Sequence, residues 1–146
     1  TTIIQMRFTT LFILLGLVAV SYSYVFKTSN GILVLTDDEV DIARRCWKRV
    51  LVNFDQGCKW CLIFRPYYID ANKDVKAQAW NVRLGQLDMK VYKQQKAKYA
   101  IEHHPTQLLF VRNDPKSPYK YTGTKNKVKL LTWLQNRLNL ATAAGY

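Results

Sequence analysis

The chain has 146 residues, of which 49% are apolar and 22% are charged, which is enough for one domain with a hydrophobic core. Its formal charge is +12, and after Met89 the acidic residues are Glu102 and Asp114 alone. A basic surface of this kind favours an anionic partner, either lipid headgroups or an acidic protein. The sequence has no recognition helix, aromatic RNA-binding strand or zinc-finger spacing, so no nucleic-acid partner is predicted.

The N-terminal part predicts a membrane anchor. After a short tail, residues 1–7, the segment 8–26 carries no charge and lies between Arg7 and Lys27. As a helix it would measure roughly 28 Å, close to the ~30 Å of a bilayer core. The alternative is a signal peptide cleaved near the small residues that follow Ala19. Length and flanking charges favour a retained transmembrane helix.

The next third of the chain predicts alternating strands and helices. Thr36 and Glu39 form a capping-box pattern that begins a helix. Within that helix Cys46 falls on the apolar stripe and is expected in the core. In chain order we predict a linker 27–30, a strand 32–35, a helix from Thr36 to about Lys48, a strand 50–54, and a helix from Cys58 through Pro66 to about Asn72.

The C-terminal half continues this alternation of strands and helices. We predict a strand 82–87, a Lys/Gln-rich helix 89–99, strands 107–111 and 119–122, a helix 124–140 and a tail 141–146. In the last helix the apolar stripe is Val128, Leu131, Leu134 and Leu138. This order predicts an α/β fold, a mixed central sheet with helices on both faces.

The sequence Cys58-Lys59-Trp60-Cys61 lies between a predicted strand and a predicted helix. Two cysteines at this spacing either close a small disulfide ring or share a metal. Zinc would need a second pair of ligands, and Cys46 and the pair His103–His104 do not form a zinc spacing. The interpretation is therefore redox, with no metal and no cofactor. A helix N-terminus stabilises negative charge, which favours a thiolate at Cys58.

Five features follow one another between residues 31 and 140: the first strand with Thr36-Asp37-Asp38, the strand 51–54, the C-x-x-C with Pro66, the segment 99–106 and Tyr121-Thr122-Gly123. In this order they resemble the thioredoxin and protein disulfide-isomerase-like family. The resemblance implies a thioredoxin fold following the transmembrane helix. It also implies that Cys58 is the nucleophile and Cys61 the resolving thiol, and that Pro105 is cis. The residues implied to contact a substrate are Trp60, His104, Pro105 and Thr106.

The chain departs from the family pattern at the redox motif. A buried carboxylate that accepts the proton of the resolving cysteine is replaced by Asn53, and an amide cannot take that proton. The tryptophan that precedes the first cysteine is replaced by Gly57, and the connection from Phe54 to Cys58 is one residue short. Asp55 is the nearest carboxylate that could stand in. These departures imply slow or specialised exchange.

Two functions therefore stay open. The first is a membrane-anchored thiol–disulfide oxidoreductase that acts on protein disulfides. The second is a redox-inactive accessory subunit of a mitochondrial membrane complex, such as a respiratory complex, that uses the fold for docking. Partners are proteins, the membrane through residues 8–26, and anionic lipid through the basic face. The basic charge favours the mitochondrial inner membrane; the alternatives are an endoplasmic reticulum membrane with a lumenal domain, or a bacterial periplasmic anchor.

Overall fold

The computed structural model describes residues 23–146. Ten elements follow one another there, most of them alternating strand and helix. The strands are β1 (Thr28–Ser29), β2 (Ile32–Leu35), β3 (Arg49–Asp55), β4 (Arg83–Asp88), β5 (Thr106–Val111) and β6 (Tyr119–Lys120). The helices are α1 (Asp37–Cys46), α2 (Lys59–Ala77), α3 (Gln94–Lys98) and α4 (Lys127–Ala143).

The six strands form one mixed sheet in the order β1-β2-β4-β3-β5-β6. Strands β2, β4 and β3 run parallel, and β1, β5 and β6 run antiparallel to their neighbours. Every residue of β3 is buried, and the strand leads directly into α2. Because β5 is antiparallel to β3, Phe54 pairs with Thr106. The loop after β3 and the loop before β5 therefore meet at one edge of the sheet.

The core has two layers because successive residues of a strand face opposite sides of the sheet. On one side Leu51 packs in a cluster with Phe64 of α2 and Leu134 of α4. On the other side Val52 packs in a cluster with Val40 of α1. Each fully buried aliphatic or phenyl side chain contributes ~1.5–3 kcal/mol. The predicted mixed sheet with helices on both faces is confirmed.

Most predicted elements are present, with differences in extent. Helix α2 runs to Ala77, beyond its predicted end near Asn72, and α4 begins and ends three residues later than predicted. The predicted linker 27–30 contains the short strand β1, which pairs with β2. Of the predicted helix 89–99, only α3 is helical, because Met89 is buried and the Asp88 side chain accepts a hydrogen bond from the Lys90 amide at 2.9 Å, making a turn. Strand β6 ends at Lys120, two residues before the predicted end.

Two predictions about buried residues were wrong. Cys46 is exposed, because α1 ends there and the following Trp47 packs against the second cluster in its place. Val128 is 68% exposed, because α4 begins only at Lys127, after the Asn126 cap. The buried residues of that helix are Leu130, Leu134, Leu138 and Ala141.

The predicted anchor 8–26 lies largely outside the described residues. Its last four residues, 23–26, are neither helix nor strand, and the Phe26 ring lies 5.3 Å from the Trp47 ring. Among residues 23–146 no helix is both long and apolar enough to cross a membrane.

Candidate redox site

A disulfide joins Cys58 and Cys61 at the start of α2. Cys58 is the N-cap residue, and its sulfur accepts a hydrogen bond from the Cys61 amide at 3.1 Å. Their Cα atoms are 4.9 Å apart. Cys58 is partly exposed, whereas Cys61 is completely buried. A thiolate on Cys58 would therefore face both solvent and the positive end of the helix dipole, and Cys61 is sheltered from direct attack.

An ion pair fixes the short connection between β3 and the disulfide. The Arg65 guanidinium donates to both carboxylate oxygens of Asp55, at 2.6 and 2.9 Å. The Gly57 amide also donates to Asp55, at 2.6 Å. Burial alone would raise the pKa of Asp55, but the hydrogen bonds from Arg65 and Gly57 hold it below its usual value. Asp55 therefore serves to hold the loop and is a poor proton acceptor at neutral pH.

The loop before β5 lies against the disulfide. The His104–Pro105 peptide bond is cis, as the resemblance implied. The His104 carbonyl oxygen is 3.7 Å from the Cys58 sulfur, and Pro105 is buried. Thr106 is also buried, and its hydroxyl donates to the His103 carbonyl. Of the residues implied to contact a substrate, His104 lies against the disulfide, and the Thr106 side chain is committed to the loop.

The His104 side chain is half-buried beside the β3 end. Burial and the positive charge of Lys96 lower the pKa of its imidazole, although a hydrogen bond with the Phe54 backbone and the charge of Asp55 oppose the shift. Its Nδ1 atom has no hydrogen-bond partner among the described residues. At neutral pH the ring is therefore mainly uncharged.

Trp60 begins an exposed apolar stripe on α2. It is 64% exposed, and Ile63 and Tyr67 follow it at helical spacing, at 42% and 41% exposure. The Lys59 ammonium lies 5.8 Å from the centre of the Trp60 ring. This placement offers a flat apolar surface to a partner, next to Cys61 and two residues from Cys58.

Three amide side chains lie side by side in the sheet beneath the helix that carries the disulfide. Asn53 is opposite Gln86 on one side and Gln107 on the other, and all three face the α2 side of the sheet. We call them the amide row. Gln107 donates to the Asn53 oxygen at 2.7 Å, and the Lys125 ammonium donates to the Gln107 oxygen at 2.6 Å. Burial, with the charge of Lys120, lowers the pKa of Lys125 to about 8.

Asn53 and Gln86 also line a cleft of about 330 Å³ between the sheet and α2. Asp55, Arg65 and Tyr68 complete its polar wall. No three His, Cys, Asp or Glu side chains within residues 23–146 come together as a metal site requires.

Sequence reasoning did not find three parts of this site. These are Arg65 as the partner of Asp55, the Gln86 and Gln107 members of the amide row, and Lys125 at its end. The amide row could have been predicted from the strand register, which places Gln86 and Gln107 opposite Asn53. No sequence pattern predicts the position of Lys125, because that position depends on the path of the loop between β6 and α4.

Comparison with known proteins places the chain in a family. The family model described as thioredoxin matches residues 32–136. A protein disulfide-isomerase of Oryctolagus cuniculus is 25% identical over 121 residues, which cover 82% of this chain and 24% of that protein. Protein disulfide-isomerase 1 of Caenorhabditis elegans is 28% identical over 122 residues, which cover 83% of this chain and 24% of that protein.

The chain thus spans about a quarter of the length of the curated relatives it matches. Among solved structures, the first thioredoxin domain of mouse protein disulfide-isomerase A4 superposes with a TM-score of 0.70 at 18% identity, covering 82% of this chain and 87% of that domain. The likeness in structure agrees with the family-model match, which runs from β2 into α4. The chain belongs to the thioredoxin family.

Proposed function

We propose that this protein is a thiol–disulfide oxidoreductase that acts on cysteines of other proteins. The observation that carries the proposal is the Cys58–Cys61 disulfide at the N-terminus of α2, with Cys58 partly exposed beside the cis His104–Pro105 bond. Similarity to protein disulfide-isomerases supports the same activity. The disulfide is the oxidised half of a couple whose reduced form is a dithiol.

The exchange follows from the positions of the two sulfurs. In the oxidising direction, a substrate thiolate attacks the Cys58 sulfur. A mixed disulfide forms, the Cys58–Cys61 bond breaks, and Cys61 leaves as a thiolate. A second thiolate of the same substrate then attacks the substrate sulfur that is bonded to Cys58. The substrate disulfide forms, the bond to Cys58 breaks, and Cys58 leaves as a thiolate. In the reducing direction the same bonds exchange in reverse, and Cys61 resolves the mixed disulfide.

Membrane attachment through residues 8–26 is part of the proposal. So is contact of the basic face with anionic lipid. Similarity to protein disulfide-isomerases supports an endoplasmic reticulum membrane with a lumenal domain, because protein disulfides form in that compartment. The charge of +12 supports the mitochondrial inner membrane as the other location.

A second candidate is a redox-inactive accessory subunit of a membrane complex such as a respiratory complex. Asn53 favours it, because a buried amide cannot accept the proton of the resolving cysteine. The exposed stripe of Trp60, Ile63 and Tyr67 would then be a docking surface.

The test is the midpoint potential of the Cys58–Cys61 couple, measured in glutathione and dithiothreitol buffers. Cys61→Ser is run in parallel to trap mixed disulfides with partner proteins, and Cys58→Ser is its matched control. A reversible couple between roughly −120 and −270 mV supports the oxidoreductase. Cysteines that never exchange, or a couple far below that range, would leave the accessory subunit as the function.

A further inference from the structure

A groove rich in positive charge opens beside Cys58. Its volume is about 420 Å³. It is lined by Gln56, Met89, Lys90, Lys93, Lys96 and His104. None of these is acidic, and the groove is formed by the turn after β4, the start of α3 and the loop before β5.

The groove adjoins the reactive sulfur on two sides. The His104 carbonyl is 3.7 Å from the Cys58 sulfur. Gly57, the residue before Cys58, has no side chain, and Lys90 lies over it: a Cβ atom at Gly57 would be 2.7 Å from the Lys90 ammonium. A chain that presents a cysteine to Cys58 would therefore bring its neighbouring residues against the lysines.

The charges in the groove are not neutralised within the fold. The three lysines are exposed, and none forms an ion pair with any residue of 23–146. Three acids near the groove have other partners: Asp55 is paired with Arg65, Asp88 accepts from the Lys90 amide, and Asp37 accepts from the Gln94 amide at 3.5 Å. The positive charge of Lys96 also acts on the His104 imidazole. The groove is thus complementary to negative charge carried by the substrate.

We infer that the groove selects disulfide substrates whose reactive cysteine is flanked by acidic residues. The inference rests on the proposed oxidoreductase function and names its substrate class. Carboxylates of an extended segment would contact Lys93 and Lys96 while the cysteine reaches Cys58. The apolar Trp60 ring, next to Cys61 and two residues from Cys58 in sequence, carries no charge that would oppose this preference.

The test uses three peptides that differ only beside their two cysteines, which are flanked by Glu, by Gln or by Lys. The oxidised full chain reacts with each reduced peptide, and alkylation followed by mass spectrometry gives the rate of peptide oxidation. Acidic neighbours also change the reactivity of a thiolate. Each rate is therefore divided by the rate of the same peptide with hydroxyethyl disulfide, an uncharged reagent.

The variant is Lys93→Gln with Lys96→Gln. Lys90 is kept, because its ammonium lies close enough to Gly57 to act on the Cys58 sulfur itself. The matched control is Lys116→Gln with Lys129→Gln, which removes the same charge at two exposed positions outside the groove that form no ion pair within residues 23–146.

In the unmodified protein we expect the Glu peptide to react about tenfold faster than the Gln peptide at low salt, and the Lys peptide to react slowest. A surface ion pair changes binding about two- to fivefold, so two such contacts give this range. The groove variant should lower the Glu-to-Gln ratio about fivefold, and the control should leave it unchanged. The ratio should fall towards one at 0.5 M salt, because salt screens exposed charges.

Equal normalised rates for the three peptides, or an equal ratio in the groove variant and the control, would overturn the inference and leave the oxidoreductase function intact. No exchange with any of the three peptides would overturn the function and the inference together. Binding to vesicles that contain phosphatidylserine tests the alternative ligand of the groove, a lipid headgroup. If the groove variant loses vesicle binding while its Glu-to-Gln ratio is unchanged, the groove is a lipid-headgroup site and the inference is wrong.

Discussion

Lys125 should make the fold more stable as the pH rises above 8. Its ammonium donates to Gln107 at 2.6 Å and to the Tyr121 carbonyl at 3.3 Å, and both acceptors are neutral. Burial and the charge of Lys120 lower its pKa to about 8. An unfolded lysine keeps its proton up to a pH of ~10.4. Between these values the unfolded chain binds one proton that the folded chain does not, so the free energy of unfolding increases with pH.

The size of the effect follows from the two pKa values. Each pH unit between them contributes ~1.4 kcal/mol, which sets a ceiling of about 3 kcal/mol. Lys125 keeps some contact with solvent, so we expect ~1–2 kcal/mol. The perturbation is Lys125→Met, which removes the titrating group. Lys125→Arg is the matched variant, because a guanidinium keeps its charge across this range.

The assay is urea unfolding of the oxidised protein, followed by circular dichroism from pH 7.5 to 10.5. Other groups that titrate there cancel when the variant is subtracted from the unmodified protein. The difference in unfolding free energy should rise with pH by the same amount for both variants. A difference that stays flat, or falls, would show that Lys125 is fully solvated and that the amide row does not end on a buried amine.

Three further changes test other parts of the structure. Asp55→Asn should lower the unfolding free energy at pH 7 by ~1–3 kcal/mol, since it breaks a partly buried pair with Arg65. Because the pKa of Asp55 is depressed, the loss should shrink as the pH falls from 5 to 2 in acid-urea titrations. Tyr68→Phe should cost ~1–3 kcal/mol in urea unfolding, because the buried hydroxyl contacts two strand carbonyls at 2.8 and 2.9 Å. Cys46 should react with iodoacetamide in the native protein, and Cys46→Ala should change stability by less than ~0.5 kcal/mol.

The fold was predictable because its signals are local. Apolar runs, the Thr36–Glu39 capping box and the turn residues each report on a few neighbouring positions, and the structure has the capping hydrogen bond at 3.2 Å. The prediction of buried residues failed where burial depends on the residue at which a helix ends. Cys46 has the spacing of a core residue, but α1 ends there, so the stripe has no further turn to extend it.

The redox pair and its neighbouring loop were predictable, because a C-x-x-C and one proline carry them in sequence. The electrostatic environment of the redox pair was not predictable. The lysines of the groove lie 33 to 39 residues after Gly57 in sequence, and nothing in the local pattern of residues 90–96 indicates that they face it. Lys90 lies over the glycine only because β4 and β3 are adjacent and end at the same edge. Such contacts need the register of the sheet and the path of its loops.

The same environment bears on the direction of the redox reaction. A carboxylate beneath the disulfide would oppose a thiolate on Cys61, whereas the uncharged Asn53 does not. Lys59 follows Cys58 in sequence and Lys90 lies over the preceding Gly57, and nearby positive charge stabilises a thiolate. Both features stabilise the reduced form relative to the disulfide, so we expect a midpoint potential nearer −120 than −270 mV. The missing proton acceptor slows resolution by Cys61, a step that reducing a substrate requires and that oxidising one does not. A protein with this site is better suited to accept electrons from substrate thiols, and a potential at the reducing end of the range would refute that reasoning.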